Sequence, residues 1–431
     1  MTELRVRLGV IEGKDHSLYE ELLSSPPEGI VYLTSGNASS GPVSLRNRLV
    51  WRMRRNCAVR SLADQFFVRS LPHAESGRPG LSYRIVKGIR GAAIGSRGRD
   101  KEALPFDLLH SAGSSMLENI PWIVEKDLKW VADFEFVASL FGYYGNWRKR
   151  IYRPRNQRIV VKQLTSRYCK RLMPWTEAAK STVENVLKDK DVNAKMEVLR
   201  LAMRPAPPKP NDLEKHDRVR ILFMGSSNFR GEFWSKGGFE VLESYRLLRE
   251  KLGDSVELMF RCWMPDELRD RYASLPGLHT ICDVLPRDEL NRLFWESDVF
   301  LWPGHPTPGL AFLEAMRFGL PIVSKDIWAN KETVEDGKTG FLVKPSEKIP
   351  YYLPGFVPNA SMDEGPFLPY MRLRDDRVIA DIVDRLAMLV ESENLRKRMG
   401  EAGKKEVEEG KFSIHARNAQ LKRIYEEAAR R

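Results

Sequence analysis

The stretch PTPGLAFLEAMRFGLPIVS, residues 306–324, sets one carboxylate, Glu314, among neighbours that are almost wholly apolar. A helix that is apolar on nearly every side is a buried helix, and an unpaired buried carboxylate is costly. Something polar must therefore meet Glu314. The two hydroxyls of a ribose diol suit a carboxylate that accepts two hydrogen bonds, and an internal arginine is the alternative.

Two other residues would suit a phosphate ligand. A helix that begins near Gly309 presents free backbone N–H groups and its positive dipole end, which favour a diphosphate. Glycine also lets a ligand approach the backbone closely. Lys236 begins another helix and would add a positive point charge, although a lysine that meets only solvent is the alternative.

The second half of the chain alternates strands with helices. The runs VRILFMG, VELMFRC and DVFLWPG read as strands, and KGGFEVLESYRLLREKLG and PRDELNRLFWES read as helices. This alternation predicts a parallel, doubly wound sheet. Ligands of such sheets bind beyond the carboxyl ends of the strands, here in the loops after Met224, Cys262, Trp302 and Val323.

The first half gives a weaker version of the same pattern. LRVRLGVI, GIVYL, FDLLHS, IPWIVEK and a last run, MEVLRLA, read as strands, and TEAAKSTVENVLK reads as a helix capped by Thr176. The proline-rich segment 204–217 interrupts both helix and sheet. We therefore predict a first domain over residues 1–210, a second over 211–412, and a terminal helix, 413–431, that packs back on the first.

Several of these segments resemble the family-four retaining glycosyltransferases, the glycosyl transferases of group 1. The resemblance depends on GLAFLEAMRFGLPIVSKD, on ETVEDGKTGFLV and on the pair Lys236-Gly237, and more loosely on FDLLHSAG and NIPWIV. It implies the GT-B α/β fold, in which two Rossmann-like doubly wound domains face a cleft. It also implies transfer of a sugar, with retention, from a nucleoside-diphosphate sugar, UDP- or GDP-linked, to the hydroxyl of a glycan, lipid-linked or small-molecule acceptor.

The resemblance also implies site residues. The donor-binding set is Ser226, Lys236, Thr307, Gly309, Leu310 and Glu314. Lys236 would stabilise the leaving diphosphate, helped by Arg230 in place of the arginine that the family has after the first strand of this domain. No metal and no cofactor are needed, and we interpret the DKD string at 189–191 as solvent-facing. His110, at the end of a first-domain strand, is a candidate for contact with the sugar or acceptor, although a lone histidine is usually structural.

One position departs from the family pattern and leaves alternatives open. Pro306 stands eight residues before Glu314, where the family commonly has an acidic residue that contacts the transferred sugar. A degenerate GT-B protein that binds without reacting is therefore one alternative. Another GT-B enzyme, such as a nucleotide-sugar epimerase or an inverting transferase, is the second, and it would need a carboxylate or histidine base near the anomeric carbon.

The net positive charge of the protein is concentrated in the first half of the chain. Residues 1–210 hold 36 Lys and Arg against 21 Asp and Glu, whereas the rest of the chain holds 34 against 37. Such an asymmetry indicates an anionic partner. Residues 44–62, SLRNRLVWRMRRNCAVRSL, have the composition of a helix that lies on an anionic membrane surface. Residues 143–158 mix aromatics with arginines and would suit a glycan, a lipid headgroup or a single-stranded nucleic acid. A solvated face is the alternative for both.

The cellular location is predicted from the lack of a membrane-spanning segment and of a signal peptide. No apolar run reaches the roughly 18 residues of a membrane span, and the first ten residues are too charged for a signal peptide. The cysteines, at 57, 169, 262 and 282, show no CxxC spacing, which favours reduced thiols over a disulfide or zinc site. We predict a cytoplasmic protein, peripheral on the inner membrane face if 44–62 binds there. The absence of any recognisable nucleic-acid-binding module argues against nucleic acid as the partner.

Overall fold

A computed structural model describes residues 3–9, 17–33, 106–112, 128–142, 147–213, 216–225, 232–306, 309–359 and 365–430. The basic stretch 44–62 and the predicted strand IPWIVEK lie outside these ranges.

The first sheet contains β1 (Leu4–Gly9), β2 (Ile30–Leu33), β3 (Leu108–Ala112), β4 (Trp130–Phe134) and β5 (Cys169–Pro174) in the order β2-β1-β3-β4-β5. The pairs β1–β3, β3–β4 and β4–β5 are parallel. The first three strands confirm the sequence prediction, but β4 and β5 were not predicted.

The helices of the first half are α1 (Ser17–Ser24), α2 (Trp147–Arg150), α3 (Pro154–Leu164), α4 (Glu177–Leu187) and α5 (Lys190–Asn193), with a 3-10 turn at Val137–Leu140. The predicted cap of α4 is confirmed, because Thr176 Oγ1 accepts the N–H of Ala179 at 3.0 Å. This bond satisfies one of the free donors of the first helical turn.

The predicted strand MEVLRLA is wrong. Residues 197–202 form neither strand nor helix, although Glu197 N–H donates to Leu172 O at 2.9 Å and Leu199 N–H to Pro174 O at 3.0 Å. The segment lies against β5 and makes these separate hydrogen bonds rather than a continuous ladder. The last strand of the sheet is β5.

The second sheet contains β6 (Val219–Met224), β7 (Val256–Arg261), β8 (Leu278–Ile281), β9 (Val299–Trp302), β10 (Ile322–Lys325) and β11 (Gly340–Val343). Its order is β11-β10-β9-β6-β7-β8, and every neighbouring pair is parallel. The chain moves outward in one direction from β6 and in the other from β9, so the topological switch point lies between these two strands. The three strands predicted here are confirmed.

The second half also contains ten helices among the residues that the structure describes. They are α6 (Glu232–Ser235), α7 (Gly238–Leu252), α8 (Asp266–Tyr272), α9 (Arg287–Trp295), α10 (Leu310–Arg317), α11 (Asn330–Thr333), α12 (Leu368–Met371), α13 (Asp376–Glu391), α14 (Glu393–Glu408) and α15 (Ile414–Arg430). Short 3-10 turns span Gly253–Ser255 and Gly365–Phe367, and β12 (Tyr352–Leu353) pairs with β13 (Val357–Pro358) as an antiparallel hairpin. The two predicted helices correspond to α7 and α9.

The last helix, α15, packs on the first sheet rather than the second. Leu421, Ile424 and Tyr425 are fully buried in one apolar cluster with Val6 and Leu8 of β1. The chain therefore returns to the first domain after completing the second. No helix in the described part of the chain has both the length and the apolar composition needed to cross a membrane.

Candidate functional site

Two backbone segments pack closely at the switch point of the second sheet. Gly237 has φ +79°, and a Cβ built on it would lie 2.7 Å from the carbonyl oxygen of Pro303. The N–H of His305 donates to Ser235 O at 2.8 Å. The loop after β9 therefore lies directly on the turn before α7, and no larger residue fits at Gly237.

Lys236 lies in this turn. Its Nζ is 5.6 Å from the centre of the Trp302 ring, at the carboxyl end of β9, and it forms no ion pair with a described residue. The ammonium group is thus held over an aromatic face by a cation–π contact while its charge stays available. A lysine so placed can bind a phosphate that enters the crevice.

The N-terminus of α10 lies at the same edge of the sheet. Gly309 precedes the helix with φ +58° and ψ −107°, and no side chain among the described residues caps the first turn. A Cβ at Gly309 would approach only Leu201 Cδ1, at 3.9 Å, so the backbone conformation rather than crowding requires glycine here. The first N–H groups of α10, beginning with that of Leu310, are free of any side-chain cap.

Glu314 has the polar partner that the sequence requires. Its Oε1 accepts from Nη1 of Arg287, the first residue of α9, at 2.7 Å, and 15% of the Glu314 side chain is exposed. Of the two partners left open by the sequence, the arginine is present in the structure. Binding of a ribose by the same carboxylate stays a prediction.

Two more arginines surround this carboxylate. Burial lowers the pKa of the Arg261 guanidinium, at the end of β7, and that of Arg317, one turn along α10, while the charge of Glu314 acts in the opposite direction on both. The region around Glu314 therefore carries excess positive charge, which favours an anionic ligand.

Behind this edge lies a buried charged group that the sequence did not reveal. Oε1 of Glu240, on the first turn of α7, is 3.3 Å from Lys325 Nζ and 3.5 Å from His305 Nε2. All three side chains are almost fully buried. Burial, and to a smaller extent the nearby Lys325 charge, lower the pKa of His305 well below its ordinary range. Neither ring nitrogen of His305 has a hydrogen-bond partner among the described residues, so the contact that joins α7 to β10 is the ion pair between Glu240 and Lys325.

His110 occupies a closed network in the first domain. Its Nδ1 lies 2.6 Å from Tyr425 Oη of α15, and its Nε2 lies 3.1 Å from Asp133 Oδ1 of β4. Asp133 Oδ2 accepts from Trp175 Nε1 at 2.7 Å, and Tyr425 Oη lies 3.2 Å from Tyr32 Oη. Burial raises the pKa of Tyr425 well above its ordinary value. His110 is 2% exposed, so both ring nitrogens are engaged inside the domain.

The carboxyl edges of the two sheets meet at a pocket. A space of about 480 Å³, open to solvent, is lined by Glu135, Trp175, Thr176, Leu201, Gly309, Leu313, Trp328, Thr333 and Phe412. Glu332 joins the two domains at its rim, because its carboxylate accepts the N–H groups of Glu177 and Ala178 at 2.8 Å each. The N-terminus of α4 is thus bound to the second domain.

Three other predicted site residues and the DKD string remain to be located. Ser226, Arg230 and Thr307 lie outside the described residues. In the DKD string, Asp189 caps the short helix α5 by accepting from the N–H groups of Asp191 at 3.0 Å and Val192 at 2.9 Å. Across the described residues, no group of three or more His, Cys, Asp or Glu is arranged to hold a metal ion.

Two parallel α/β sheets whose carboxyl edges share a pocket are the arrangement of the GT-B fold. Solved structures with this fold match nearly the whole chain. A glycosyltransferase from Rickettsia africae aligns over 99% of this chain and 98% of its own, with a TM-score of 0.57 and 12% identity. Anabaena HepE, solved with UDP and glucose, aligns over 97% and 98%, with a TM-score of 0.57 and 12% identity. At such identities the likeness establishes the fold alone.

The sequence comparisons identify the second domain more closely. Residues 218–350 match the family model of glycosyl transferases group 1, so this domain is a group 1 glycosyltransferase domain. A glycogen synthase from Pseudomonas savastanoi is 35% identical over 82 residues, which are 19% of this chain and 17% of that protein. A 41.2 kDa protein of the cps region of Klebsiella pneumoniae is 27% identical over 135 residues, 31% of this chain and 34% of that protein. The matched segments thus span only 17% and 34% of the length of these two curated relatives.

Proposed function

We propose that the protein is a retaining glycosyltransferase that moves a sugar from a nucleoside-diphosphate sugar, UDP- or GDP-linked, to an acceptor hydroxyl. The observation that carries the proposal is the convergence of three groups on one edge of the second sheet. The N-terminus of α10, which no described side chain caps, Lys236, which has no ion pair with a described residue, and the carboxylate of Glu314 lie at the ligand position of a doubly wound sheet. The helix N-terminus suits the diphosphate of the donor, Lys236 suits the charge on the leaving group, and Glu314 suits the ribose.

The reaction follows from that placement. The bond between the anomeric carbon and the diphosphate oxygen breaks, and Lys236 with the helix N-terminus stabilises the charge that develops on that oxygen. The acceptor oxygen bonds to the anomeric carbon on the face that the diphosphate leaves, and its proton passes to the departing oxygen. The configuration is retained. The acceptor enters through the pocket between the domains, whose lining includes the aromatic side chains of Trp175 and Trp328.

Closure of the domains would exclude water, which would otherwise hydrolyse the donor. Metal and cofactor are not required, because the positive charge comes from protein groups. For location, we propose a cytoplasmic protein that contacts the membrane through residues 44–62 and glycosylates a lipid-linked acceptor.

A thermal-shift screen of the purified protein against UDP-, GDP- and ADP-sugars tests the donor. A ligand at about 100 times its dissociation constant stabilises the folded state by roughly 2.7 kcal/mol, which raises the melting temperature measurably. The anomeric configuration of the product, read by NMR, then tests retention. A product of inverted configuration would favour an inverting transferase, and no stabilisation by any nucleotide sugar would contradict the donor proposal.

A second candidate, a GT-B protein that binds a nucleotide without turnover, is favoured by one observation. Pro306 cannot supply the acidic contact to the sugar that the family commonly has, and the adjacent His305 is buried. Tight nucleotide binding with no transfer to water or to any glycan, lipid or small-molecule acceptor would support this candidate.

A further inference from the structure

One segment of the first domain contains no carboxylate. From residue 136 to residue 176, a span of 41 residues, the sequence has ten Lys and Arg and no Asp or Glu. The whole chain has a net charge of +12, so this segment alone accounts for most of it. A charge run of this kind either meets solvent or meets an anionic partner, and its contacts decide between the two.

The structure leaves the cations of this segment pointing outward. Five exposed side chains form no ion pair or hydrogen bond with a described residue: Lys149, Arg153, Arg155, Arg158 and Lys162. Other exposed helices of this protein pair their charges internally. On α15, Arg423 pairs with Glu427 at 3.3 Å, and on α14, Lys397 pairs with Glu393 at 2.6 Å. The five exposed cations on and between α2 and α3 lack the partners that these pairs on α14 and α15 have.

Exposed apolar groups accompany these cations. Ile159 is 40% exposed and lies on the same face of α3 as Arg155, Arg158 and Lys162, at helical spacings of three and four. The buried side of α3 is formed by other residues, including Val160. The outward face thus combines positive charge with an apolar centre.

The hairpin β12–β13 extends this face. Tyr152 Oη, just before α3, donates to Pro354 O of the hairpin at 2.7 Å. Tyr352 and Phe356 stack at 4.3 Å between ring centres, and 37% and 40% of these residues are exposed. Phe356 has φ +64°, a conformation that glycine or asparagine adopts more easily. A large apolar residue is thus kept exposed at a strained position, and such positions occur where a contact is made.

We propose that this face, formed by residues 147–162 and the hairpin 352–358, docks on an anionic lipid surface. Cations around exposed apolar and aromatic side chains match a bilayer interface, where headgroups carry negative charge and rings lie at headgroup level. A nucleic acid would instead require aromatic side chains arranged to stack on successive bases along a groove, and Ile159 at the centre of the face cannot stack. The inference rests on the proposed function and concerns only its acceptor, which would be lipid-linked. The surface that it names does not include residues 44–62.

The test uses the full chain and vesicles of two compositions. One is an equal mixture of phosphatidylglycerol and phosphatidylcholine, and the other is phosphatidylcholine alone. The protein is expected to sediment with the anionic vesicles at about 50 mM salt and to be released at about 500 mM, because salt screens the attraction. Replacing Arg155, Arg158 and Lys162 by Ser is expected to weaken vesicle binding about 100-fold, since each cation near an anionic surface contributes a factor of about five.

A matched variant removes three cations elsewhere. Changing Lys397, Arg398 and Lys405 of α14 to Ser alters the net charge equally but leaves the basic face intact, so it is expected to retain vesicle binding within a few-fold. A further variant, Phe356→Ser, is expected to weaken binding without changing its salt dependence. Circular dichroism melts establish that each variant is folded.

Two results would overturn the inference. Equal losses in both triple variants would show a response to net charge alone. Binding of a fluorescent single-stranded oligonucleotide that is lost in the Arg155, Arg158 and Lys162 variant, with no sedimentation on either vesicle, would assign the face to nucleic acid. Donor binding measured by the thermal shift of the same variants is expected to be unchanged, so a failure here is distinguishable from a failure of the nucleotide-sugar proposal.

Discussion

The carboxyl edges of the two sheets are built differently. At the first edge, Asp133 bonds to both His110 and Trp175, and His110 also bonds to Tyr425, so these polar groups satisfy one another. At the second edge, Lys236 is unpaired among the described residues and the first turn of α10 is uncapped. Polar groups that satisfy one another stabilise a fold, whereas groups left unsatisfied at a crevice favour a ligand. The comparison favours our proposal that the second edge binds the donor, and contact of His110 with the sugar or acceptor stays a prediction.

The largest expected effect concerns the charged group behind the second edge. Glu240→Ala leaves the Lys325 ammonium buried without its partner, so we expect a loss of about 3–5 kcal/mol of unfolding free energy. Urea denaturation measures it. Glu250→Ala, which removes an exposed carboxylate from the same helix, is the control and is expected to cost under about 1 kcal/mol. A near-zero effect of Glu240→Ala would mean that the buried Lys325 ammonium does not depend on this carboxylate.

The network at the first edge is expected to matter for stability but not for the donor. Asp133→Ala leaves the donors on His110 and Trp175 buried and unpaired, which costs about 1–3 kcal/mol. Denaturant unfolding gives the stability, and calorimetry with UDP and GDP gives the affinity. Unchanged stability with a weakened nucleotide affinity would reverse the assignment of the two edges.

Lys236 is expected to matter for turnover but not for stability. Lys236→Ala is expected to lower turnover more than ten-fold, about 1.4 kcal/mol in the barrier, because it removes a charge directed at the leaving diphosphate. Its effect on stability is expected to be small, since the side chain has no ionic partner among the described residues. Lys331→Ala, on the neighbouring short helix α11, is the control. Wild-type turnover in Lys236→Ala would place this lysine among the merely solvated ones.

A smaller effect concerns pH. The folded-state pKa of His305 is well below its ordinary range, because burial opposes the charged ring and Lys325 repels it. The unfolded chain binds this proton near pH 6.5 whereas the folded protein does not. Stability is therefore fully present above about pH 6.5 and is lost as the pH falls, by up to about 1.4 kcal/mol per unit, until the folded pKa is reached.

Unfolding free energies of wild type and His305→Gln between pH 7 and pH 5 test this expectation. In the variant, the slope of unfolding free energy against pH is expected to be smaller by the contribution of about one proton. His415→Gln, which removes an exposed histidine of α15, is expected to leave the pH dependence as it is in wild type. Parallel curves for wild type and His305→Gln would show that His305 titrates alike in both states.

Sequence reasoning was most successful where local pattern decides structure. The apolar runs of β6, β7 and β9 are local signals, and all three strands were predicted. β4 and β5 were missed because charged residues interrupt their short apolar runs: Asp133 lies in β4, and Lys170 and Arg171 lie in β5. A short strand without clean alternation gives little signal.

Pairings across the chain could not be predicted. The carboxylate of Glu314 was recognised as needing a partner, but nothing local indicated Arg287, 27 residues away. His110 was recognised as a candidate, yet its partner Tyr425 lies 315 residues along the chain on a helix that returns to the first domain. Long-range contacts depend on the fold, so their residues become visible only in the structure.

The central claim is that the second edge binds the donor, and Glu314 tests it most directly. Calorimetry with UDP and with GDP should be run on wild type, Glu314→Gln and Arg287→Gln. The amide keeps the shape of the carboxylate but loses the charge-assisted acceptor, so we expect Glu314→Gln to weaken nucleotide affinity about ten-fold or more with the fold intact, and Arg287→Gln to change it only a few-fold. Equal affinity in wild type and Glu314→Gln would contradict the account, because the carboxylate would then serve only its ion pair with Arg287.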